Sequence, residues 1–351
     1  MTTTSKHRKP TKPNLDYGFF GPDSVTWKVF QHPVSFTIGF HRTVITEMFE
    51  PFLLASVKDT DAVMSRPSVR YDRTLQYVST VAFADSETAV NASNTLFKIH
   101  SHIRGLEPIS GGQYDANAPE AQLWIHLTQW HSVLLTYEML GPGKLSAEEE
   151  EQYWAECRRA AEFQTIDPET VPRNRQEMRE YYERMRPILA ATEETQNIVH
   201  HLLDASAFLM DDLPSYYSPF KSVTRELIKK ATIATMPRWL RRMAGVQQSA
   251  ITDAAVIMGA KALLKVSSML SEHHQLFVLK RVSPGAAKVL KPVLLGKPPI
   301  NAEVLEPEAA FKKAGLQLPR EQYQNHLKVR PITPPQHAPR DPGAEHLLQL
   351  A

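Results

Sequence analysis

A single all-α domain is the fold class this chain predicts, and three observations carry the prediction. Apolar residues recur at helical spacing over most of the 351 residues, no stretch alternates polar and apolar as a strand does, and no internal repeat appears. With 42% hydrophobic side chains the chain can bury a sizeable core. Its length alone allows two domains, and the uniform helical pattern favours one. The expected architecture is one globular multi-helix domain enclosing a pocket, residues 15–290. It lies between a flexible basic arm, 1–14, and a Pro-rich, largely extended tail, 291–351.

The elements follow in order. Asp16 to Ser24 is a turn-rich aromatic entry, and Asp23 or Ser24 is placed to cap a helix beginning Val25-Thr26-Trp27. A second helix covers about 34–57, and Pro51 after Glu50 should kink or restart it. Arg66-Pro67 opens the next, which runs to about Phe83. Asp85-Ser86-Glu87 caps another that is expected to end at Gly105, since glycine suits a left-handed C-terminal position.

Ser110-Gly111-Gly112 starts a loop closed by Asn117-Ala118-Pro119, with the proline in the first turn of a helix reaching Leu140; Gly141-Pro142-Gly143 stops it. Further helices fit 146–163, 175–185, 192–209, 222–234, 237–243 and 251–280. Beyond Lys291 the composition changes: ten of the twenty-six prolines fall in the last sixty-one residues, which predicts extended chain. Only 309–318 fits a short helix there, docked on the core.

Charge and cysteine usage narrow the function classes. Forty basic against thirty-eight acidic residues give a formal net charge of +2, without the basic footprint of a nucleic-acid-binding domain. The short cluster Lys6-His7-Arg8-Lys9 reads as a solvated arm. One cysteine, Cys157, forms no internal disulfide and builds no cysteine metal cluster, which suits a reducing compartment, and the polar N-terminus has no signal-type apolar stretch. Cytoplasm is the expected location. The long apolar stretch Ile251 to Leu279 is interrupted by Asp253, Lys261, Lys265 and Glu272, so no transmembrane segment is expected.

Three side chains stand out for chemistry. His100 shares a helix face with Leu96 and Ile103 and points with them into the core, while His102 points elsewhere. A neutral imidazole so placed can ligate a haem iron through one nitrogen while the other donates to a carbonyl; a core histidine satisfied by a hydrogen bond is the alternative. On the preceding helix Arg70, Thr74, Tyr77 and Val81 share one face. The guanidinium could pair with a haem propionate, or, if merely structural, with Asp72 or Asp59. His126 lies on an apolar face with Leu123, Trp130 and Val133, and either lines the same pocket or fills the core.

Other chemistries lack their motifs. There is no Gly-rich phosphate loop, no His-Glu-x-x-His zinc helix and no Gly-x-Ser-x-Gly elbow. The pairs His200-His201 and His273-His274 diverge on a helix and make poor metal sites, and nothing marks Cys157 as an activated nucleophile. Arg238, Arg241 and Arg242 around Trp239 form a short basic amphipathic turn. Such a turn allows weak contact with an anionic membrane surface, although a solvated face explains it better.

Five separated blocks together resemble the haem-dependent oxygenase family of the rubber oxygenases (latex clearing proteins) and the fungal oxygenase of mycophenolic acid synthesis. They are Asp16 to Ser24, Arg70 to Tyr77, Lys98 to Gly105, Leu123 to His126 and Met236 to Gly245. The resemblance places the family's Arg/basic/Thr motif on Arg70, Arg73 and Thr74, and its haem-ligating histidine on His100, with Arg104 closing that motif. His126 matches a motif of smaller bacterial members. Where many bacterial relatives have His-Pro, this chain has Glu50-Pro51, and the rubber oxygenases' proposed glutamate base falls at either Glu47 or Glu50.

The resemblance implies a haem b-dependent oxygenase that uses O2 to oxidise or cleave an apolar, isoprenoid-like substrate. His100 is then the proximal ligand, Arg70, Thr74 and Glu50 are the catalytic side chains, and Arg73, Arg104 and His126 also hold the cofactor. The alternative from another class is a non-catalytic haem-binding or sensing protein acting through a partner.

Overall fold

The computed structural model describes residues 12–60, 62–108, 110–204 and 218–329. The first helix, α1 (Val25–Phe30), starts where its cap allows. The Ser24 hydroxyl accepts the Trp27 amide at 3.1 Å, and Glu156, from across the core, takes both the amide and the hydroxyl of Thr26 at 2.6 Å.

The helix expected over 34–57 is built in three pieces. A π-helical turn (Ser35–Gly39) leads into α2 (Phe40–Glu47), and after a break Pro51 begins α3 (Pro51–Thr60). Gly39 is required at the join, because a Cβ there would sit 2.7 Å from Thr136 Oγ1 on the central helix. The short α4 (Ala62–Ser65) precedes α5 (Pro67–Phe83), whose limits match those read from its opening proline.

The helix α6 (Ser86–His100), capped by Asp85 through the Thr88 amide at 2.9 Å, ends five residues before the predicted stop. Gly105 lies instead in β1 (Arg104–Leu106), paired antiparallel with β2 (Gln113–Asp115). Glycine is needed there for a tertiary reason: a Cβ would lie 2.6 Å from the Tyr114 hydroxyl.

The central helix α7 (Pro119–Leu140) buries Trp124, Leu127, Trp130, Leu134 and Tyr137, and its apolar residues have no single preferred face, as befits a helix surrounded by others. Around it run α8 (Ala147–Ala161), opened by a Ser146/Glu149 capping box, α9 (Arg175–Met185), α10 (Glu193–Asp204), α11 (Ser218–Thr235) and α12 (Arg238–Met243). The predicted 251–280 helix is two helices, α13 (Ala250–Ser268) and α14 (Glu272–Val282), with Ser271 starting the second.

The expected extended tail differs most from the structure. Residues 291–329 pack on the domain through the end of α15 (Pro284–Leu294), α16 (Pro307–Lys313) and α17 (Pro319–Val329). Asp72 on α5 accepts the Ser283 hydroxyl at 2.5 Å and the Gly285 amide at 2.8 Å, which pins the start of α15. The chain then returns along the entry segment, with Ile300 N donating to Asn14 O, Asn301 N to Leu15 O, Tyr17 N to Glu303 O and Leu305 N to Gly18 O.

Phe311 is buried against Phe163, and Leu318 and Tyr323 are buried beside it. Two of the prolines that suggest extended chain, Pro307 and Pro319, instead open helices, where the missing N–H costs nothing. The boundary at 290 therefore moves to at least 329. The rest of the tail, 330–351, and the arm up to residue 11 lie outside the described residues.

Candidate functional site

The sequence-predicted residues gather unequally around His100, the last residue of α6. Gln122, near the start of α7, brings its amide nitrogen to 3.2 Å from His100 Nδ1, but gives shorter contacts to the Ala116 carbonyl at 2.9 Å and Asn117 Oδ1 at 3.1 Å. Nδ1 thus faces the Gln122 amide, and the imidazole also bonds the Ala116 carbonyl. With Nδ1 turned to Gln122, Nε2 is the ring nitrogen on which no hydrogen bond is seen among the described residues. Burial, reinforced by the nearby Arg70 charge, pushes the imidazole down to about 4, so it is neutral at pH 7.

Arg70 faces the same place from α5. Its two expected acidic partners are engaged elsewhere, Asp72 with the start of α15 and Asp59 with the Tyr114 hydroxyl. Among the described residues the guanidinium makes no hydrogen bond or ion pair, and it lies close enough to act electrostatically on both His100 and Glu47. Glu47 ends α2 and is buried, with the Thr128 hydroxyl in reach. Burial pushes its carboxyl up to about 8 against the pull of Arg70, so it holds a proton at neutral pH.

The remaining residues are placed differently. Glu50 is the N-cap of α3, accepting the Phe52 amide at 3.2 Å and the Leu53 amide at 2.6 Å; burial lifts it to about 7, and its charged neighbour is Glu107, not Arg70. Thr74 spends its hydroxyl proton on the Arg70 carbonyl at 3.0 Å, and both Thr74 and Arg73 are exposed. Arg104 lies 2.8 Å from its cross-strand partner Asp115, an ion pair too oblique to count as a hydrogen bond.

His126 is buried one turn beyond Gln122 and donates Nε2–H to the Cys157 carbonyl at 2.9 Å, so its Nε2 is committed. Cys157 is buried, and burial pushes its thiol up, as expected for an inert cysteine. Of the expected lining, Leu96, Ile103 and Leu123 are half-buried, whereas Trp130 packs with Phe30 and Tyr153 in the aromatic core. In the basic turn, Arg186 stacks on Trp239 and Arg241 pairs with Asp253 at 2.7 Å, which leaves less charge free than the sequence suggests.

Two features carried no sequence signal. Gln122 is one polar residue on a mixed helix, and only the fold turns it toward His100. Behind Glu47, the buried Arg42 donates to Ser132 Oγ at 2.5 Å and lies against the Tyr182 hydroxyl, which is 3.2 Å from His131 Nδ1. Grooves of about 620 and 570 Å3 also open on the surface, the larger at Leu54 and Ile198 and the smaller at Thr165 and Arg320; neither is lined by His100, Arg70 or Glu47.

Within this helical domain Arg70 on α5 acts electrostatically on the neutral His100 of α6 and on the buried Glu47 carboxyl of α2. Residues 27–267, from α1 to nearly the end of α13, match the family described as ER-bound oxygenase mpaB/B'/Rubber oxygenase, catalytic domain, and the chain belongs to that family. The family is an oxygenase catalytic domain, which makes this chain an oxidoreductase by family. No curated protein and no solved structure matches the chain. Among the described residues no helix is long and apolar enough to cross a membrane.

Proposed function

We propose that this chain is a haem b-dependent oxygenase that uses O2 to oxidise or cleave an apolar, isoprenoid-like substrate, with His100 as the proximal ligand. The observation that carries the reading is the state of His100: neutral, with Nδ1 facing Gln122 and with no hydrogen bond on Nε2 among the described residues. Among the described residues no three His, Cys, Asp or Glu side chains cluster to hold a bare ion, and a single imidazole suits an iron that brings its own equatorial ligands.

Haem, when bound, supplies the oxygen chemistry that side chains lack. The chain's own residues do the rest. Gln122 and the Ala116 carbonyl orient the ring of His100. Arg70, with no hydrogen bond or ion pair among the described residues, is the cation for a propionate or for a carboxylate formed at Glu47. Glu47, not the capping Glu50, is the group that holds and releases a proton. Thr74 and Arg73 contribute from the exposed rim, and Leu96, Ile103 and Leu123 offer apolar surface to the substrate.

The test is direct. Expressed with haem supply, the wild type should show a Soret band that His100→Ala largely loses while keeping its helical circular dichroism. Full haem retention in that variant would remove the assignment. The ferrous wild type should consume O2 with an unsaturated isoprenoid and release aldehyde or ketone products. No turnover over a broad apolar panel, with haem-dependent association to a protein partner, would replace the oxygenase reading by a sensor.

A further inference from the structure

The helix α13 is apolar over most of its surface, yet it is buried on only one side. Ala260 and Leu264 face the core, and α11 packs beside them. The opposite face carries Ile251, Ala255, Met258, Ala262, Val266 and Met269, spaced so that all six fall on one stripe. They are exposed, Ile251 at 83%, Met258 at 68%, Val266 at 60% and Met269 at 78%. Phe277 and Val278 on α14 are exposed as well. An apolar residue here or there on a surface needs no explanation, whereas a contiguous stripe along a five-turn helix does.

Charge selects the occupant. Lys261 and Lys265 flank the stripe on one edge and Lys280 lies on α14; all three are exposed, and none forms an ion pair among the described residues. The acidic residues of the two helices are Glu272 and Asp253, and Asp253 is already paired with Arg241. A second copy packed antiparallel about a twofold axis would bring the lysines of both chains to the same edge, where they repel. An anionic lipid surface takes the same lysines favourably and the apolar stripe beneath them.

We infer that the exposed stripe of α13 forms a peripheral docking surface for anionic membranes, with the helix lying in the interface. This contact is separate from the basic turn at α12, whose Arg241 and Trp239 are engaged within the protein. It does not depend on which cofactor the oxygenase site uses.

The test uses the full chain and sedimentation with vesicles of phosphatidylcholine alone or with about one part in four phosphatidylserine. Wild type should pellet with the mixed vesicles and be released by salt. The variants Met258→Glu/Val266→Glu and Lys261→Glu/Lys265→Glu should each lower the bound fraction by about tenfold or more while keeping wild-type circular dichroism. Because every substituted side chain is exposed, the fold should tolerate both.

A wild type that stays in solution with both vesicle types overturns the inference. So does binding that neither variant weakens, which would place the contact elsewhere. Light scattering that shows a dimer dissolved by Met258→Glu/Val266→Glu, without vesicle binding, would assign the stripe to a second copy.

Discussion

Replacing Glu47 by glutamine tests the electrostatics of the candidate site without emptying it, because the amide keeps the shape and cannot ionise. In the folded protein the carboxyl is lifted from 4.5 to about 8, chiefly by burial. A carboxyl raised on folding contributes fully below its unfolded value and loses that contribution as pH climbs through the folded one. At about 1.4 kcal/mol for each tenfold in proton affinity, the whole span is about 5 kcal/mol, with about 2.5 kcal/mol of it falling between pH ~6 and ~9.

Urea denaturation at several pH values in that window should therefore show wild type losing about 2.5 kcal/mol more than Glu47→Gln. Glu50, lifted to about 7, titrates in both proteins, and the comparison removes it. Parallel pH profiles for the two proteins would mean that Glu47 is ionised in the folded state, and the proton-holding role would fall with it.

Gln122→Ala should weaken haem binding by about 10- to 100-fold in a haemin titration while leaving the helical spectrum intact, because it frees the ring of His100 without removing the ligand; unchanged affinity would refute the tether. Phe311→Ala should cost about 3–5 kcal/mol in denaturant unfolding, since the ring is buried on Phe163. A loss under about 1 kcal/mol would show that the C-terminal segment is not part of the cooperative core.

Elements whose start and stop lie within themselves could be read from the chain. The openings of α5 and α7 at Pro67 and Pro119, and the limits of α9, coincide with the structure because a first-turn proline or an asparagine cap acts on the few residues beside it. Likewise His100 and Arg70 could be singled out, because helical spacing places each on a definite face. What lies opposite that face is not in the spacing.

Contacts between residues far apart in sequence decided the rest. The close approach of Tyr114 makes Gly105 a strand residue and not a helix stop. Asp72, a plausible partner for Arg70 by proximity in sequence, is held by Ser283 more than two hundred residues away, and this leaves the guanidinium free. Glu47 and Glu50 look alike along the chain. The end of α2 buries one beside Arg70 and the start of α3 uses the other as a cap, because α-helix geometry turns two side chains three residues apart to different neighbours once the helix breaks between them. The prolines after residue 291 carry the same lesson. Local composition predicts extended chain, and the burial of Phe311, Leu318 and Tyr323 against the domain outweighs it, since apolar area removed from water is a property of the pair of surfaces and not of either segment alone.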